Sequence, residues 1–297
     1  MTNSTETSQP NKVWFITGAS TGFGREMAEQ LLAAGAKVVA TARKPEQVSD
    51  LAGKYPDTAL ILPLDVTKDE AVTAAVAQAL AKFGQVDVLV NNAGYGLCGA
   101  FEEATEAEFM PMFETNVFGL IRVTKALLPN FRALKSGHIV NLSSIGGLVG
   151  LQGWGYYNAS KFAVEGLSEA LATELAPLGV KVLIVEPGPF RTDFLGRSSQ
   201  EAALRIPDYD QTAGKTREYL VANAGKQAGD PVRAVQAILA AVASPNTPRH
   251  LVLGKMAFNR FKQKIAEFEA DMTAWESTTL GADFPDAVVP AHYSGTK

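Results

Sequence analysis

The chain contains 297 residues, of which 46% are hydrophobic and 20% are charged, and its formal net charge is −4. The slight acidity and the absence of a Lys/Arg cluster argue against nucleic acid as a partner, and no apolar run reaches the roughly 20 residues that a membrane span needs. The single cysteine, Cys98, excludes an intramolecular disulfide and fits a reducing compartment, so we expect a cytoplasmic protein. The three histidines lie far apart without metal-ligand spacing, and we expect no metal site.

From residue 12 onward, short apolar runs alternate with stretches of helical periodicity. The polar residues 1–10 before them are expected to form a disordered leader. Predicted strands cover residues 12–17, 37–42, 59–66, 86–91, 137–144, 181–187 and 249–254, and predicted helices cover 25–35, 69–84, 106–134, 156–176, 231–244 and 257–276. This order predicts an α/β fold, a doubly wound parallel sheet with helices on both faces and right-handed crossovers.

The alternation stops after Pro187, and residues 187–230 mix aromatic and charged side chains without a clear period. A long irregular segment of this kind is usually a lid or a binding loop, so we expect it to cover a substrate. No internal repeat or domain linker is evident. The chain therefore divides into the leader, one α/β domain over 11–256, and a C-terminal helix and tail over 257–297.

The stretch 153–175 places Tyr157 and Lys161 four residues apart, on one face of a predicted helix. A free phenol has a pKa of about 10, and a nearby ammonium favours the phenolate and lowers that value. Lowering the pKa of the phenol by about three units requires on the order of 4 kcal/mol of differential interaction with its two protonation states. One ammonium in a partly desolvated site supplies part of this energy. The pair is a candidate acid–base device, although a Tyr and a Lys at this spacing also occur by chance in many helices.

A glycine-rich loop, TGASTGFG at 17–24, joins the first predicted strand to the first predicted helix. Glycines let a backbone approach a pyrophosphate, and a helix N-terminus offers free N–H groups and a partial positive charge. The spacing is G-x3-G-x-G rather than the G-x-G-x-x-G of the usual dinucleotide fingerprint. A tight turn without a ligand is the alternative interpretation, but the position after the first strand of a doubly wound sheet favours phosphate binding.

Several motifs occur together along the chain: TGASTGFG, NNAG at 91–94, Ser144, the Tyr157/Lys161 pair and PG at 187–188. Their order and approximate spacing resemble the short-chain dehydrogenase/reductase family over about residues 12–255, near its hydroxysteroid and retinol dehydrogenase branch. The resemblance implies a single Rossmann-type domain with a seven-stranded sheet. It also implies NAD(P)-dependent oxidation or reduction at a carbonyl or alcohol carbon, with residues 11–256 as the dinucleotide-binding and catalytic domain.

The end of the second strand usually distinguishes NAD from NADP, because a carboxylate there holds a ribose hydroxyl and an Arg accommodates a 2′-phosphate. Ala42 stands at the carboxylate position, and Arg43 and Lys44 follow it. A guanidinium without that carboxylate favours a phosphate, so we expect NADP(H), with NAD(H) as the alternative; both cations could instead be solvated surface charges. The expected cofactor contacts are Gly18, Ser20, Thr21, Gly22, Phe23, Gly24, Arg43, Asp65, Val66, Asn91, Ala93, Gly94, Tyr157, Lys161, Pro187, Gly188 and Thr192.

In the family pattern, Tyr157 would be the general acid/base, while Lys161 would lower its pKa and hold the nicotinamide ribose. The neighbouring Tyr156 lies five residues before Lys161, so it would point elsewhere and form a wall. Ser144, thirteen residues before Tyr157, would polarise the substrate carbonyl as negative charge develops on its oxygen. Asn116 matches the family residue that holds a water beside the lysine, although the residues alone favour a polar side chain that bends the helix.

The edge expected to bind substrate is mostly apolar and comprises Tyr95, Leu97, Leu148, Trp154, Phe190, Phe194 and Leu195. It favours a hydrophobic ketone or alcohol, unless many of these side chains are core or subunit contacts. The resemblance implies a homodimer or homotetramer formed through residues 106–134 and 156–176. An oxidative alcohol dehydrogenase and a catalytically silent dinucleotide-binding sensor are the competing functions, and the intact Ser144, Tyr157, Lys161 and Asn116 argue against the sensor.

Overall fold

The computed structural model describes residues 12–196 and 198–288, so the predicted leader and the end of the predicted tail lie outside the described residues. The strands are β1 Val13–Ile16, β2 Lys37–Ala42, β3 Ala59–Pro63, β4 Val88–Asn91, β5 Gly96–Cys98, β6 Gly137–Leu142, β7 Val180–Pro187, β8 Ser199–Glu201 and β9 His250–Leu253. Seven of them form a parallel sheet in the order β3-β2-β1-β4-β6-β7-β9, which confirms the predicted fold class.

The helices are α1 Gly22–Ala33, α2 Ser49–Lys54, α3 Asp69–Phe83, α4 Glu106–Phe113, α5 Leu120–Leu134, α6 Gly155–Leu175, α7 Lys215–Asn223, α8 Pro231–Ala243, α9 Lys255–Ala274 and α10 Glu276–Leu280. Apolar residues of α1, α2 and α8 pack on one face of the sheet. Those of α3, α5 and α6 pack on the other face. Because both faces are covered, the central strands read as continuous apolar runs rather than as alternating patterns.

The predicted helix over 106–134 is interrupted by a π-helical turn, Glu114–Gly119, which joins α4 to α5. The sequence suggests a bend near Pro111, but Pro111 lies within α4 and the irregular turn follows it. Gly119 closes the turn so near to β3 that a Cβ there would approach Val66 Cγ2 to 2.5 Å. π-helical turns occur frequently at functional sites, and this one contains Asn116.

The irregular segment 187–230 contains regular structure that the sequence pattern did not reveal. Its strand β8 pairs in parallel with the short strand β5, and α7 follows. After β9 the chain leaves the sheet edge as α9, which begins and ends two residues earlier than the predicted helix. None of the helices in the described ranges is long and apolar enough to cross a membrane.

Candidate active site

A pocket of about 770 Å³ opens at the carboxyl ends of the central strands. β1 lies there between β2 and β4, where the strand order reverses, and doubly wound sheets bind ligands at this point. The lining contains sixteen predicted site residues, namely Gly18, Ser20, Thr21, Gly22, Phe23, Arg43, Asp65, Val66, Ala93, Gly94, Ser144, Tyr157, Lys161, Pro187, Gly188 and Thr192. Chain segments far apart in sequence therefore converge on one crevice.

The glycine loop between β1 and α1 packs so closely against the loop after β4 that a side chain at Gly18 would not fit. Gly18 has φ +67°, and a Cβ there would lie 2.9 Å from Ala93 Cα. Thr21 precedes α1 without capping it through its side chain, and no acidic residue lies in the first turn. The free N–H groups and partial positive charge of this helix end therefore face the pocket and fit the pyrophosphate of a dinucleotide.

Asn92, next to a predicted site residue, holds the glycine loop in place. Its Nδ2 donates hydrogen bonds to the carbonyls of Thr17 at 3.0 Å and Gly18 at 2.8 Å. Asn91 lies outside the pocket: its side chain donates instead to Thr124 Oγ1 and Asn141 Oδ1, both at 2.9 Å. Successive side chains of a strand point to opposite faces, so only one of two adjacent asparagines can reach the crevice.

Arg43 and Asp65 lie at the end of the pocket beyond the glycine loop, whereas Lys44 is not among the lining residues. Asp65 Oδ1 accepts hydrogen bonds from Thr67 N at 3.0 Å and Thr67 Oγ1 at 2.8 Å. Burial raises the pKa of Asp65, but the bonds from Thr67 and the charge of Arg43 outweigh it and leave the pKa below its usual value. This end therefore combines an exposed guanidinium with an ionised carboxylate that is already partly hydrogen-bonded.

Ser144, Tyr157 and Lys161 meet at the inner end of the pocket, and all three are buried. Lys161 Nζ donates to the Leu142 carbonyl at 2.7 Å and lies 5.8 Å from the centre of the Tyr157 ring. Ser144 Oγ accepts from Gly146 N at 3.0 Å. The three side chains are thus positioned by β6, the loop after it and the first turns of α6.

The protein alone does not lower the pKa of Tyr157 as the sequence led us to expect. Burial raises the pKa of Tyr157 to about 12, and a hydrogen bond with Ser144 opposes that shift only partly. Burial lowers the pKa of Lys161 to about 8, against the charge of Glu165. At neutral pH the phenol is therefore protonated and ready to donate, and the ammonium beside it is held by a carbonyl.

Asn116 lies outside the pocket lining, and its side chain makes three hydrogen bonds within the protein. Oδ1 accepts from Tyr95 N at 3.0 Å, while Nδ2 donates to the Tyr95 carbonyl at 2.8 Å and to Ser160 Oγ at 3.1 Å. These bonds join the π-helical turn, the loop after β4 and α6. The side chain fixes the backbone around the lysine, and the water expected there stays a prediction, since Asn116 Oδ1 accepts one hydrogen bond and has a second lone pair. Gly24 likewise lies behind the loop, where a Cβ would approach Asn92 Nδ2 to 2.5 Å.

The apolar residues predicted for substrate divide into two groups. Tyr95, Phe190, Phe194 and Leu195 line the pocket, whereas Leu97, Leu148 and Trp154 do not. The rings of Trp154 and Phe194 lie 5.5 and 5.6 Å from that of Tyr157 and shield it. Tyr156 forms no wall: its ring stacks 4.2 Å from Phe109 and 5.1 Å from Phe101, away from the pocket.

Gln227 is a pocket residue that sequence reasoning missed. It is 3% exposed, and neither its Nε2 nor its Oε1 has a hydrogen-bond partner among the described residues. Leaving a buried polar group unpaired costs about 1–3 kcal/mol, so an amide in this position is suited to a ligand. Its place in the irregular segment 187–230 gave no signal that it would reach the crevice.

The sequence also gave no sign that His250 would meet two glutamates behind Lys161. Ligand atoms of Glu165, Glu186 and His250 lie within 4.8 Å of one another. Glu186 accepts from Leu251 N at 2.8 Å and is hydrogen-bonded to His250 Nδ1 at 2.7 Å. These bonds already satisfy Glu186, so the cluster fastens α6, β7 and β9 and carries no metal assignment.

The family model described as short chain dehydrogenase matches residues 12–203. Among curated relatives, the chain is 37% identical to oxidoreductase BOA17 of Botryotinia fuckeliana, over 91% of this chain and 99% of that protein. It is 40% identical to 3-ketodihydrosphingosine reductase of Bacteroides thetaiotaomicron, over 82% and 88% of the two chains. It is 37% identical to human retinol dehydrogenase 8, over 77% and 78%.

Solved structures show the same relationship. A short-chain dehydrogenase from Streptomyces avermitilis superposes with a TM-score of 0.87 at 47% identity, over 92% of this chain and 99% of that chain. A short chain dehydrogenase/reductase from Burkholderia phymatum in complex with NAD superposes with a TM-score of 0.78 at 25% identity, over 89% and 96%. With its seven-stranded sheet and the converging Ser144, Tyr157 and Lys161, the chain belongs to the short-chain dehydrogenase/reductase family and is an NAD(P)-dependent oxidoreductase.

Proposed function

We propose that the protein is an NADPH-dependent carbonyl reductase that acts on an apolar ketone, the reverse reaction being oxidation of the secondary alcohol. The observation that carries this proposal is the convergence of the buried Tyr157, Lys161 and Ser144 at the inner end of a crevice that has Arg43 at its other end. A phenol that is protonated at neutral pH is in the form that reduction requires, although its pKa of about 12 lies above the range in which a general acid is most efficient at that pH.

The nicotinamide supplies the hydride that adds to the carbonyl carbon. Ser144 donates a hydrogen bond to the carbonyl oxygen, and this bond strengthens as negative charge develops there. Tyr157 then gives its proton to the same oxygen. Lys161 stabilises the resulting phenolate by its charge, and the rings of Trp154 and Phe194 keep water away from the phenol.

The proposed preference for NADPH rests on the second strand. Ala42 ends β2 without a carboxylate, and the exposed Arg43 next to it lines the pocket. Ser20 and Thr21 supply hydroxyl groups on the facing loop. A guanidinium and two hydroxyls form a suitable site for the 2′-phosphate, although Asp65 lies in the same part of the pocket and opposes a second negative charge.

The proposed substrate class rests on the pocket wall near Tyr157, where Tyr95, Phe190, Phe194 and Leu195 present mainly apolar surface. Two relatives are named for apolar substrates, a 3-ketodihydrosphingosine and a retinol, which supports a hydrophobic ketone or alcohol. The segment 187–230 supplies three of these four residues, so we propose that it acts as the substrate lid. A cytoplasmic homodimer or homotetramer formed through α4, α5 and α6 completes the proposal.

A panel of aliphatic, aromatic and polycyclic ketones, each assayed with NADPH and with NADH, tests this function. We expect NADPH oxidation with apolar ketones and little turnover of sugars or charged keto acids. Tight NADPH binding without turnover of any ketone or of the matching alcohols with NADP would favour a dinucleotide sensor instead. Turnover confined to alcohols with NAD would favour an oxidative dehydrogenase.

A further inference from the structure

Helix α9 is a 20-residue helix that is almost entirely exposed. Ala257 is buried and Phe261 is half-buried, while every other residue of α9 is exposed. Helices in proteins are stabilised mainly by packing an apolar face against the rest of the fold, and α9 has little such packing of its own. The structure shows α9 anchored to the domain by its first two turns only, through Ala257 and Phe261.

Five large apolar residues of α9, together with Trp275 directly after it, follow a heptad repeat, and the exposed Met256 lies outside that repeat. They recur at alternating spacings of three and four, at Phe258, Phe261, Ile265, Phe268, Met272 and Trp275. Apart from Phe261, each of these side chains is between 50% and 65% exposed. These six residues form an apolar stripe along the helix, which we call the seam. A stripe with only two apolar positions in every seven is typical of a helix that pairs with another helix rather than one that packs on a broad core.

Charges divide α9 and its end into two halves of opposite sign. The four charged residues from 255 to 264 are all basic, namely Lys255, Arg260, Lys262 and Lys264. The four from 265 to 276 are all acidic, namely Glu267, Glu269, Asp271 and Glu276. Two copies of such a helix attract each other when they run antiparallel, because each basic half then faces an acidic half. The acidic half also opposes adsorption onto an anionic membrane.

The heptad repeat and the charges agree on one register. An antiparallel pair that places Ile265 opposite Phe268 of a second copy also places Phe261 opposite Met272 and Phe258 opposite Trp275. In that register Lys262 flanks Glu269 of the second copy, and Lys264 flanks Asp271. Parallel pairing would place Lys264 beside Glu269, which attract, but also Asp271 beside Glu276, which repel, so its charge pairs cancel whereas those of the antiparallel register all attract.

We propose that α9 is a self-association element that pairs antiparallel with α9 of a second copy of this chain. Beside Leu148 the seam borders a groove of about 700 Å³, which Phe261, Ile265, Phe268 and Met272 line from α9 and which Glu276, Thr279 and Leu280 line from α10. This contact uses a different surface from α4, α5 and α6. It therefore forms a dimer by itself, or doubles the assembly that those helices form.

Sedimentation velocity of the full chain tests the pairing. The double variant Ile265→Asp with Phe268→Asp should halve the mass of the assembly, while the matched variant Gln263→Asp with Ala270→Asp, on the opposite helix face, should leave it unchanged. Reversing the basic charges with Lys262→Glu and Lys264→Glu should also dissociate the assembly. Adding Glu269→Lys and Asp271→Lys to that variant should restore the assembly. An unchanged mass in both the seam variant and the reversal variant would overturn the proposal.

Disulfide trapping tests the orientation. Lys262→Cys combined with Glu269→Cys should give covalent dimers on oxidation, whereas Gln263→Cys combined with Ala270→Cys should not. Cys98 is buried, so it does not compete. Equal trapping in both variants would contradict the register. If the seam variant instead loses binding to phosphatidylcholine–phosphatidylserine vesicles without any change in mass, a membrane surface is the occupant and the self-association proposal is wrong.

Discussion

The carboxylate of Glu103 and the guanidinium of Arg217 lie 2.6 Å apart, and both side chains are almost fully buried. Glu103 also accepts from Ala100 N at 2.6 Å and from Ile206 N at 2.9 Å. Burial alone would raise the pKa of Glu103, but the bonds from Arg217 and the backbone hold it at about 2. The pair fastens α7, and with it the far end of the proposed lid, to the loop before α4.

We expect Arg217→Leu to lower the free energy of unfolding by about 3 kcal/mol, because it leaves a buried carboxylate without its cation. Urea denaturation at pH 7 measures the change. Arg205→Leu is the matched control, since its pair with Glu201 is exposed and is expected to contribute less than about 1 kcal/mol. The folded pKa of Glu103 lies below its unfolded value, so the Arg217→Leu effect should be full above pH 4.5 and shrink as the pH falls toward 2.

Tyr157→Phe should reduce turnover by about 10²–10⁴-fold, the usual contribution of a general acid, while NADPH binding stays within about twofold. The substitution removes the proton donor and keeps the ring between Trp154 and Phe194. Steady-state kinetics and NADPH fluorescence titration give the two quantities. Tyr156→Phe, which loses only a hydrogen bond to the Phe101 carbonyl, should retain nearly full turnover; equal losses in the two variants would contradict the assignment of the proton to Tyr157.

Arg43→Asp should reverse the cofactor preference. Hydrogen bonds to charged groups contribute about 1.5–3 kcal/mol, so kcat/KM for NADPH should fall by about 10–100-fold relative to that for NADH. The same assays on Lys44→Asp provide the control, because Lys44 lies outside the pocket lining. A preference for NADH in the unmodified enzyme, or equal shifts in both variants, would refute the role of Arg43.

Gln227→Met removes a buried amide and leaves the volume of the side chain nearly unchanged. Because that amide has no partner among the described residues, we expect the free energy of unfolding to stay equal or to rise. We expect ligand binding in the pocket to weaken by about tenfold, the loss of one hydrogen bond of about 1.4 kcal/mol. Thermal melts with and without NADPH, together with KM for both substrates, separate the two effects; unchanged affinity for both would show that Gln227 serves neither ligand.

Glu165→Gln should stabilise the protein more at pH 8 than at pH 5. Burial raises the pKa of Glu165 to about 7, the nearby Ser143 hydroxyl opposes the rise, and Glu186 adds to it. No group among the described residues has hydrogen-bond geometry to either carboxylate oxygen of Glu165, so the Ser143 contact is a weak one. A folded pKa above the unfolded value means that folding loses stability as the pH rises from 4.5 through 7. The titratable groups that face Glu165 in this cluster are His250, Glu169 and Glu186. Because Glu169 is more exposed than Glu165, Glu169→Gln is the control. A parallel pH profile for the wild type and Glu165→Gln would contradict this account.

The sheet was predictable because its signals are local. Each buried parallel strand is a short apolar run, and the helix between two strands has its own period and stop, as at Gly84, which adopts φ +80° after α3. The positions of Tyr157 and Lys161 followed from helix geometry in the same way. Their joint position with Ser144 was expected from the resemblance to the family, and the structure accounts for it because β6 ends at the same edge of the sheet where α6 begins.

The features that escaped prediction depend on contacts between distant residues. The pairing of β5 with β8 joins two three-residue strands about a hundred residues apart, and His250 meets Glu165 only because β9 lies beside β7. The choice between Asn91 and Asn92 depends on which way one strand end faces. The pKa of Tyr157 depends on how deeply its neighbours bury it, which spacing alone does not reveal.

The hydrogen bonds from Asn92 to the carbonyls of Thr17 and Gly18 have a kinetic consequence. They fix the glycine loop as part of folding, so the conformational entropy of that loop is already lost when a dinucleotide arrives. Association then requires no rearrangement of the loop, and its rate is set by diffusion and desolvation. An Asn92→Ala enzyme would keep the glycines of the loop and the N-terminus of α1 but would bind a dinucleotide more slowly, because the loop would first have to adopt the bound conformation.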